Sequence, residues 1–543
     1  MNQMNFLKFA LIVFVSVILI ACGQDATNQN TEETENEEVE ETESGGNESE
    51  DTETEETEGQ GGELKIAYSA QPAELDPQTS VTFATTDVMR YVFETLVAYD
   101  SDFKVQPMLA DSWEESDDGK EITFYLREGI TFHNGKEMLA EDVAASMNRW
   151  VELPGSRGNF ADAVFEVIDD YTVVLNLQEP LSVALSTMAH AGGGAPAIMP
   201  KDIIEEAGVD GQIDEFIGTG PYEFVEWKQD QHVHLTRYDD YQSRTEPASG
   251  LAGERKALVD DIYFMFVPDA STRVAGVQTG DYDVIHATPY DNVDQLENDP
   301  SLKTYAHTGG MLYLYFNKKK GLFADQTARQ AIAPALDFAD ISHGVYGNDE
   351  FYTLGHSMMM EEQVQWSSDV GKEKYEEYDP EKSKQMLEEI GYDGEEVTLI
   401  TSRDYIEMYN AAIVIQKQLE EIGINVNLEV YDWAAFLDLY RDDPDAWDIL
   451  TLLNTMVPDP ASLESLEQGW IDSPELDDLL LDFRSRPSLD EAMSLYDDIQ
   501  EWYWDYVPVI KISDYNRIAT VRESVENIQF QEGFILWNVT NNK

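Results

Sequence analysis

Between Gln24 and Gly62 nearly every residue is Glu, Thr, Asn, Ser, Gly or Asp, and at Gly61-Gly62 that pattern stops abruptly. The stretch holds no aromatic and almost no aliphatic side chain to offset the entropy of ordering, so it cannot build a core and reads as a solvated tether. About forty residues of flexible chain have an end-to-end distance of roughly 35 Å, lengthened by like-charge repulsion. Any packed structure must follow it. There Glu63-Leu64-Lys65-Ile66-Ala67-Tyr68 alternates as a strand, and about 480 further residues are enough for two or three domains.

Ahead of the tether, Phe9 to Ala21 is apolar apart from Ser16. That is about thirteen residues, short of the roughly twenty that a membrane-spanning helix needs. Cys22, the only cysteine, follows, so no intrachain disulfide can form and the body must be held by its core. Leu19-Ile20-Ala21-Cys22 resembles the lipobox of bacterial lipoproteins. The resemblance implies that 1–21 is a signal peptide, that Cys22 is the lipid attachment site, and that 22–62 tethers the body to the outer face of a cell membrane. The net charge of −74 repels nucleic acid and anionic lipid surfaces, so no nucleic-acid partner is expected. An acid excess of this size also suggests a saline or alkaline medium.

Along the body, Asp87 to Leu96 has helical spacing, Ile122 to Arg127 and Ile130 to His133 read as paired strands, and Ala140-Glu141-Asp142-Val143 opens a helix with acids in its first turn. Strands such as Tyr171 to Leu177, Glu223 to Trp227 and Val233 to Arg237 alternate with short helices to about residue 308. Beyond Met311 the spacing predicts helices over Thr327 to Leu336, Pro380 to Ile390 and Tyr405 to Ile422. The last two are closed by Gly391 and Gly423, with strands Glu396 to Thr401 and Ile424 to Tyr431 directly after them. This alternation predicts an α/β lobe. Val507 to Ile512 and Arg517 to Val521 read as strands returning the chain to the first lobe.

Several short motifs stand in order: Glu94-Thr95-Leu96, Leu109-Ala110-Asp111-Ser112-Trp113-Glu114, Phe124 to Gly135, Ala140-Glu141-Asp142-Val143, Gly218-Thr219-Gly220-Pro221-Tyr222, Arg329-Gln330-Ala331-Ile332 and Tyr378-Asp379-Pro380-Glu381-Lys382. In this order they resemble the family 5 solute-binding proteins, the peptide- and nickel-binding lipoproteins of bacterial ABC importers. The resemblance runs from Leu64 almost to the C-terminus. It implies a two-lobed clamp of the class II periplasmic-binding-protein type, enlarged by an extra subdomain. The expected boundaries are 64–308 for lobe I with an insert at about 90–215, 309–511 for lobe II, and 512–543 returning to lobe I. It implies a monomer that captures a small-molecule or peptide ligand, needs no cofactor and delivers its ligand to permease subunits. The two glycines of Gly218-Thr219-Gly220-Pro221 suit a tight segment crossing between lobes, and Phe132-His133-Asn134-Gly135 reads as a turn with a structural His133.

The same resemblance implies ligand-binding residues. Arg403 and Tyr405 match an Arg-x-Tyr segment whose arginine binds a ligand carboxylate, a task suited to a planar, permanently charged fork. Tyr431 and Trp433 match a segment beside the cleft, where an indole can line an apolar pocket. In the loop Leu453-Asn454-Thr455-Met456-Val457-Pro458-Asp459-Pro460, the position four before Pro460 carries an amine-binding aspartate in dipeptide-binding relatives, and here it is Met456. Asn454, Met456 and Asp459 are therefore candidate ligand contacts, and the soft methionine suits a more apolar or N-blocked ligand. A nickel complex, a glutathione-like solute, an oligosaccharide or a sensing role remain alternatives. His232 with His234, Met358-Met359-Met360 and Gly192-Gly193-Gly194 read as strand surface, packing and a flexible turn. There is no Gly-x-Ser-x-Gly elbow and no His-Glu-x-x-His helix, so a hydrolase is the weakest reading and no catalytic or metal-binding residue is expected.

Overall fold

The computed structural model describes residues 61–80, 82–154, 160–209, 211–462 and 469–543. The signal segment, Cys22 and the tether up to residue 60 lie outside the described residues. Among the described residues eleven strands form one mixed sheet, ten of them along a single path. In chain order they are β1 (Glu63–Tyr68), β2 (Tyr222–Lys228), β3 (His232–Arg237), β4 (Asp261–Phe266), β5 (Val284–Ile285), β6 (Leu302–Phe316), β7 (Glu396–Ser402), β8 (Asn425–Tyr431), β9 (Ile449–Asn454) and β10 (Val509–Arg522). Their spatial order is β8-β7-β9-β6-β10-β5-β1-β4-β3-β2, with the short strand Tyr352–Thr353 paired to β10 off this path.

The first half gathers around β1, whose Leu64 and Ile66 are fully buried and which pairs in parallel with β4 and β5 on its two sides. The second half is built on β7 and β8, parallel neighbours joined by helix Ile406–Glu421, the right connection for parallel strands. β9 lies parallel to β7 on its other side. Met311 to Phe316 of β6 are all buried, as a strand covered on both faces should be.

Among the described strands, only β6 and β10 run through both halves. Paired antiparallel along almost their whole length, they match Leu302 to Thr308 with Arg522 to Asn516 beside the first half, and Gly310 to Tyr315 with Tyr515 to Val509 in the second. The register slips between Thr308 and Gly310, where the two halves meet. Gly310 has φ +149° and a Cβ there would lie 2.1 Å from the Asn454 carbonyl oxygen, so this crossing requires glycine. The return strand is thus one continuous element, not the two pieces its sequence suggests.

A separate antiparallel sheet of Ala110–Glu115, Glu121–Leu126, Thr172–Asn176 and Val164–Asp169, in that spatial order, carries helix Ala140–Glu152 against it through Val143, Met147 and Trp150. It also touches the second half. Ser182 donates from its backbone N–H to the Arg484 carbonyl (2.8 Å) and from Oγ to the Phe483 carbonyl (2.8 Å), capping the end of helix Pro474–Arg484.

Two expected helices are shorter than their spacing suggests. Asp87 to Leu96 is helical only within Phe83–Met89, because the Tyr91 and Val92 carbonyls accept instead from the N–H groups of Tyr222 and Gly220. Thr327 to Leu336 breaks at Pro334 into helix Gln326–Gln330 and a 3-10 turn at Ala333–Ala335. Nor does Gly218-Thr219-Gly220-Pro221 cross between lobes. It runs against the first half's own backbone, where a Cβ on Gly220 would stand 2.2 Å from the Tyr91 carbonyl oxygen.

Candidate functional site

Where β6 and β10 cross, the two halves leave a cleft of about 810 Å³. The first half contributes Tyr68, the 286–291 segment and Ile518; the second contributes the 344–347 turn, Tyr405 to Met408, Trp433, Leu453 and Tyr515. Its walls are aromatic, with Tyr68, Tyr290, Tyr346, Tyr405, Trp433 and Tyr515 all facing it. Tyr405 stands edge-on to Trp433 at 4.6 Å, and Trp433 stacks on Phe436 at 5.4 Å. Such rings give large contact area at little cost in ordering entropy.

Past His286, Thr455 and Arg517, which line both spaces, the cleft continues into a small inner chamber of about 90 Å³. Asp87, His190, His307, Glu362, Met456 and Glu532 are among its walls. Among the described residues the only Lys or Arg lining either space is Arg517, on β10, hydrogen-bonded to the Tyr515 hydroxyl. Behind it the Tyr68 hydroxyl donates to Asp87 Oδ2 (2.6 Å), and Asp87 Oδ1 lies 3.3 Å from Arg90 Nη2. Burial pushes the Asp87 carboxyl above its ordinary range despite Arg90.

Two of the three histidines lining the chamber are held neutral. His286 stacks on Tyr68 at 4.2 Å, with Nδ1 3.2 Å from Ser69 Oγ, and burial with Arg517 nearby carries its pKa well below the usual value. His307 stacks on Phe530 at 4.6 Å, and the same causes push it down to about 3. His190 differs. Although burial opposes its charge, Glu532 at 2.6 Å raises its pKa, and His190 in turn holds Glu532 below the usual carboxylate range.

The structure divides the residues singled out from sequence. Tyr405 and Trp433 line the cleft and Met456 the chamber. Arg403 does not line either space: it is exposed, its guanidinium lies 4.6 Å from the Tyr409 ring centre, and Nη2 donates to the Tyr409 hydroxyl. Tyr431 donates to Glu429, and Asn454 Nδ2 donates to the Tyr315 hydroxyl at 2.6 Å. Asp459 is buried beneath the chamber loop, where its Oδ1 caps the Ala461 and Ser462 N–H groups and desolvation carries its pKa up to about 6. Arg517, His286, His307 and Glu362 escaped the sequence reading, having no local motif.

Most of the ordered motifs are scaffold. Glu94 Oε2 accepts from the Thr219 hydroxyl (3.0 Å) and its Oε1 from Tyr241 (2.9 Å), with Arg255 at 3.3 Å, so two of the motifs bond each other. His133 lies between the Gly218 N–H and the Gly220 carbonyl, and buried Arg329 donates to the carbonyls of Phe323, Tyr506 and Val507. His234 pairs with Asp261 at 2.7 Å and stacks on Tyr263.

Residues 104–468 match the model of bacterial extracellular solute-binding proteins, family 5, two-thirds of the chain. The chain belongs to that family. Among its relatives, a probable peptide ABC transporter periplasmic-binding protein of Sinorhizobium fredii is 31% identical over 452 residues, covering 78% of this chain and 82% of the relative. The oligopeptide-binding protein AppA of Bacillus subtilis is 26% identical over 518 residues, covering 88% and 91%. The solved structure of the latter in complex with a nonapeptide superposes with a TM-score of 0.73 at 24% identity, covering 90% of this chain and 100% of that one, and it shows the same two-lobed fold. As a family 5 solute-binding protein this chain is an extracytoplasmic receptor, and its cleft lies between the lobes. Among the described residues no helix is long and apolar enough to cross a membrane.

Proposed function

We propose that this solute-binding protein captures a peptide in the interlobe cleft and passes it to the membrane subunits of an ABC importer, while held to the outer membrane face by a lipid on Cys22. The observation that carries the reading is the cleft itself: an aromatic channel shared by two halves that are joined through two crossing strands and lead to a polar chamber. The peptide- and oligopeptide-binding relatives support the same substrate class.

Capture requires no chemistry. A solute bridging Tyr405 and Trp433 on one side and Arg517, Tyr68 and Thr288 on the other makes its full set of contacts only when the halves are together, so its binding energy favours the closed clamp. Arg517 supplies a charge-assisted anchor for carbonyl or carboxylate oxygens, and the rings enclose side chains without demanding one sequence. A micromolar dissociation constant corresponds to about −8 kcal/mol, within reach of one such anchor plus an enclosed apolar surface. On this reading the chain acts as a monomer, and the lobes divide near residue 308 and again within β10.

Mass spectrometry of the solutes released from gently extracted protein tests the substrate class. Peptides are expected; a uniform non-peptide solute would overturn it. Replacing Cys22 by serine should move the protein from the membrane fraction to the medium, and retention on the membrane would remove the lipid anchor from the account.

A further inference from the structure

The halves meet a second time, away from the crossing strands. Between strand Thr172–Asn176 and helix Ala184–Ala189, Ser182 donates its backbone N–H to the Arg484 carbonyl (2.8 Å) and its hydroxyl to the Phe483 carbonyl (2.8 Å). Both acceptors end helix Pro474–Arg484, where carbonyls lack a donor four residues on and the dipole favours one from outside. The surroundings are apolar. Leu181 and Val183 belong to the same continuous buried core as Leu480 and Phe483, whereas the residues around β1 form a core of their own. At the tip of the antiparallel sheet, a Cβ on Gly119 (φ +66°) would lie 2.7 Å from the Pro487 Cα, so backbone meets backbone across this joint. The subdomain is tied to the first half by a stronger kind of contact: buried Arg149 pairs with Asp76 (2.6 Å), just beyond β1, and donates to Gln78 Oε1 (2.7 Å).

We infer that Ser182 is a positioning residue for capture: with the helix end at Phe483 and Arg484 it forms a latch outside the cleft that biases the clamp toward its shut form before a solute enters. Arg149 and Asp76 keep the subdomain with the first half, so rotation about the crossing of β6 and β10 separates Ser182 from its two carbonyls. Its bonds exist only in the shut form and shift the balance toward it. Ser182 lines neither the cleft nor the chamber, yet both chamber walls run to it. On one side helix Ala184–Ala189 leads directly to His190, Gly192 and Gly193; on the other, Arg484 Nη2 donates to the Ala461 carbonyl (2.7 Å) and steadies the loop that carries Thr455 and Met456. The joint is also opposed: Asp490 of the second half adds to the burial that raises the Glu115 carboxyl at the subdomain's edge. Two hydrogen bonds set against a pair of like charges make a catch that releases, not a permanent seam. Because it touches no solute, the latch raises the affinity for every solute by one factor and selects none. The inference rests on the reading of capture as closure of the two halves.

Hydrogen exchange read by mass spectrometry on the full chain tests it, because Ser182→Ala removes the hydroxyl bond and keeps the backbone N–H as a reporter. In the solute-free protein Ser182→Ala should speed exchange at 181–183 about three- to tenfold, the effect of one hydrogen bond, while strands 121–126 and 172–176 exchange as in the wild type. The solute that co-purifies with the wild type should slow exchange at 181–183 without touching that segment. Calorimetry should find the same solute bound about three- to tenfold more weakly by Ser182→Ala. Exchange at 181–183 that Ser182→Ala leaves unchanged, exchange that rises in the two strands as well, or an unaltered affinity overturns the latch. Protection by the solute at 286–290 and 405–408 that leaves 181–183 untouched also overturns it, and closure around the cleft then still stands. Protection on neither side of the cleft overturns both.

Discussion

Arg403, just after β7 in the second half, and Arg517, on the stretch of β10 beside the first half, have surroundings that give them different work. Arg403 follows β7 in a motif that can be read locally, yet it lies in solvent across Tyr409. Arg517 carries no local signal. Its setting is made by Tyr68 and Asp87, more than four hundred residues earlier, and only the pairing of β10 with β6 and β5 brings it to them. Long-range pairing of this kind is what one sequence hides. Arg517→Gln should weaken binding of the co-purifying solute at least tenfold, about 1.4 kcal/mol or more, whereas Arg403→Ala should change it less than about threefold; calorimetry reads both, and the reverse order would move the anchor to Arg403. His307 supports a second prediction. Buried neutral, with a folded pKa of about 3, it stays unprotonated where the unfolded chain's histidine takes up a proton, so its contribution to stability falls as pH drops below about 6.5 and levels off near 3. His307→Phe should remove up to about 1.4 kcal/mol per pH unit from the slope of stability between pH 6 and 4. Denaturant unfolding across that range with an unchanged slope would contradict it.

At the scale of elements, what was legible was what is local. Helices Pro380–Glu389 and Ile406–Glu421 stop where Gly391 (φ +80°) and Gly423 (φ +95°) permit a left-handed turn, and the strands that follow them are where the alternation predicts. Pro334 and the carbonyls of Tyr91 and Val92 explain the two overextended helices, the first from a residue visible in the chain, the second from partners that are not. The Gly218-Thr219-Gly220-Pro221 segment was recognisable as a place needing glycine, but its reason is contact with Tyr91 and Val92 and not a crossing between lobes. Gly220→Ala should therefore destabilise the first half by about 1–3 kcal/mol through overpacking against the Tyr91 carbonyl. Solute affinity at temperatures well below unfolding should stay within about threefold; a loss of binding without loss of stability would return this segment to the hinge. The true crossing, at Thr308 to Gly310 on β6, was out of reach because its bulge arises only from pairing with β10.

For the whole molecule, the acid excess and the clamp act on different terms. A net charge of −74 repels itself, and raising salt from 0.1 to 1 M shortens the screening length from about 10 to about 3 Å. The melting temperature should rise over that range, and a fall would show that attractive ion pairs outweigh the repulsion. The clamp depends instead on contacts drawn from both halves at once. Hydrogen exchange of the full chain, with and without the solute that co-purifies with it, measures this most directly. Binding should protect amides of 286–290 in the first half together with 344–347 and 405–408 in the second, and those around Thr308 and Arg517 at the crossing. Protection confined to one half, or absent from the crossing strands, would contradict a solute held between them.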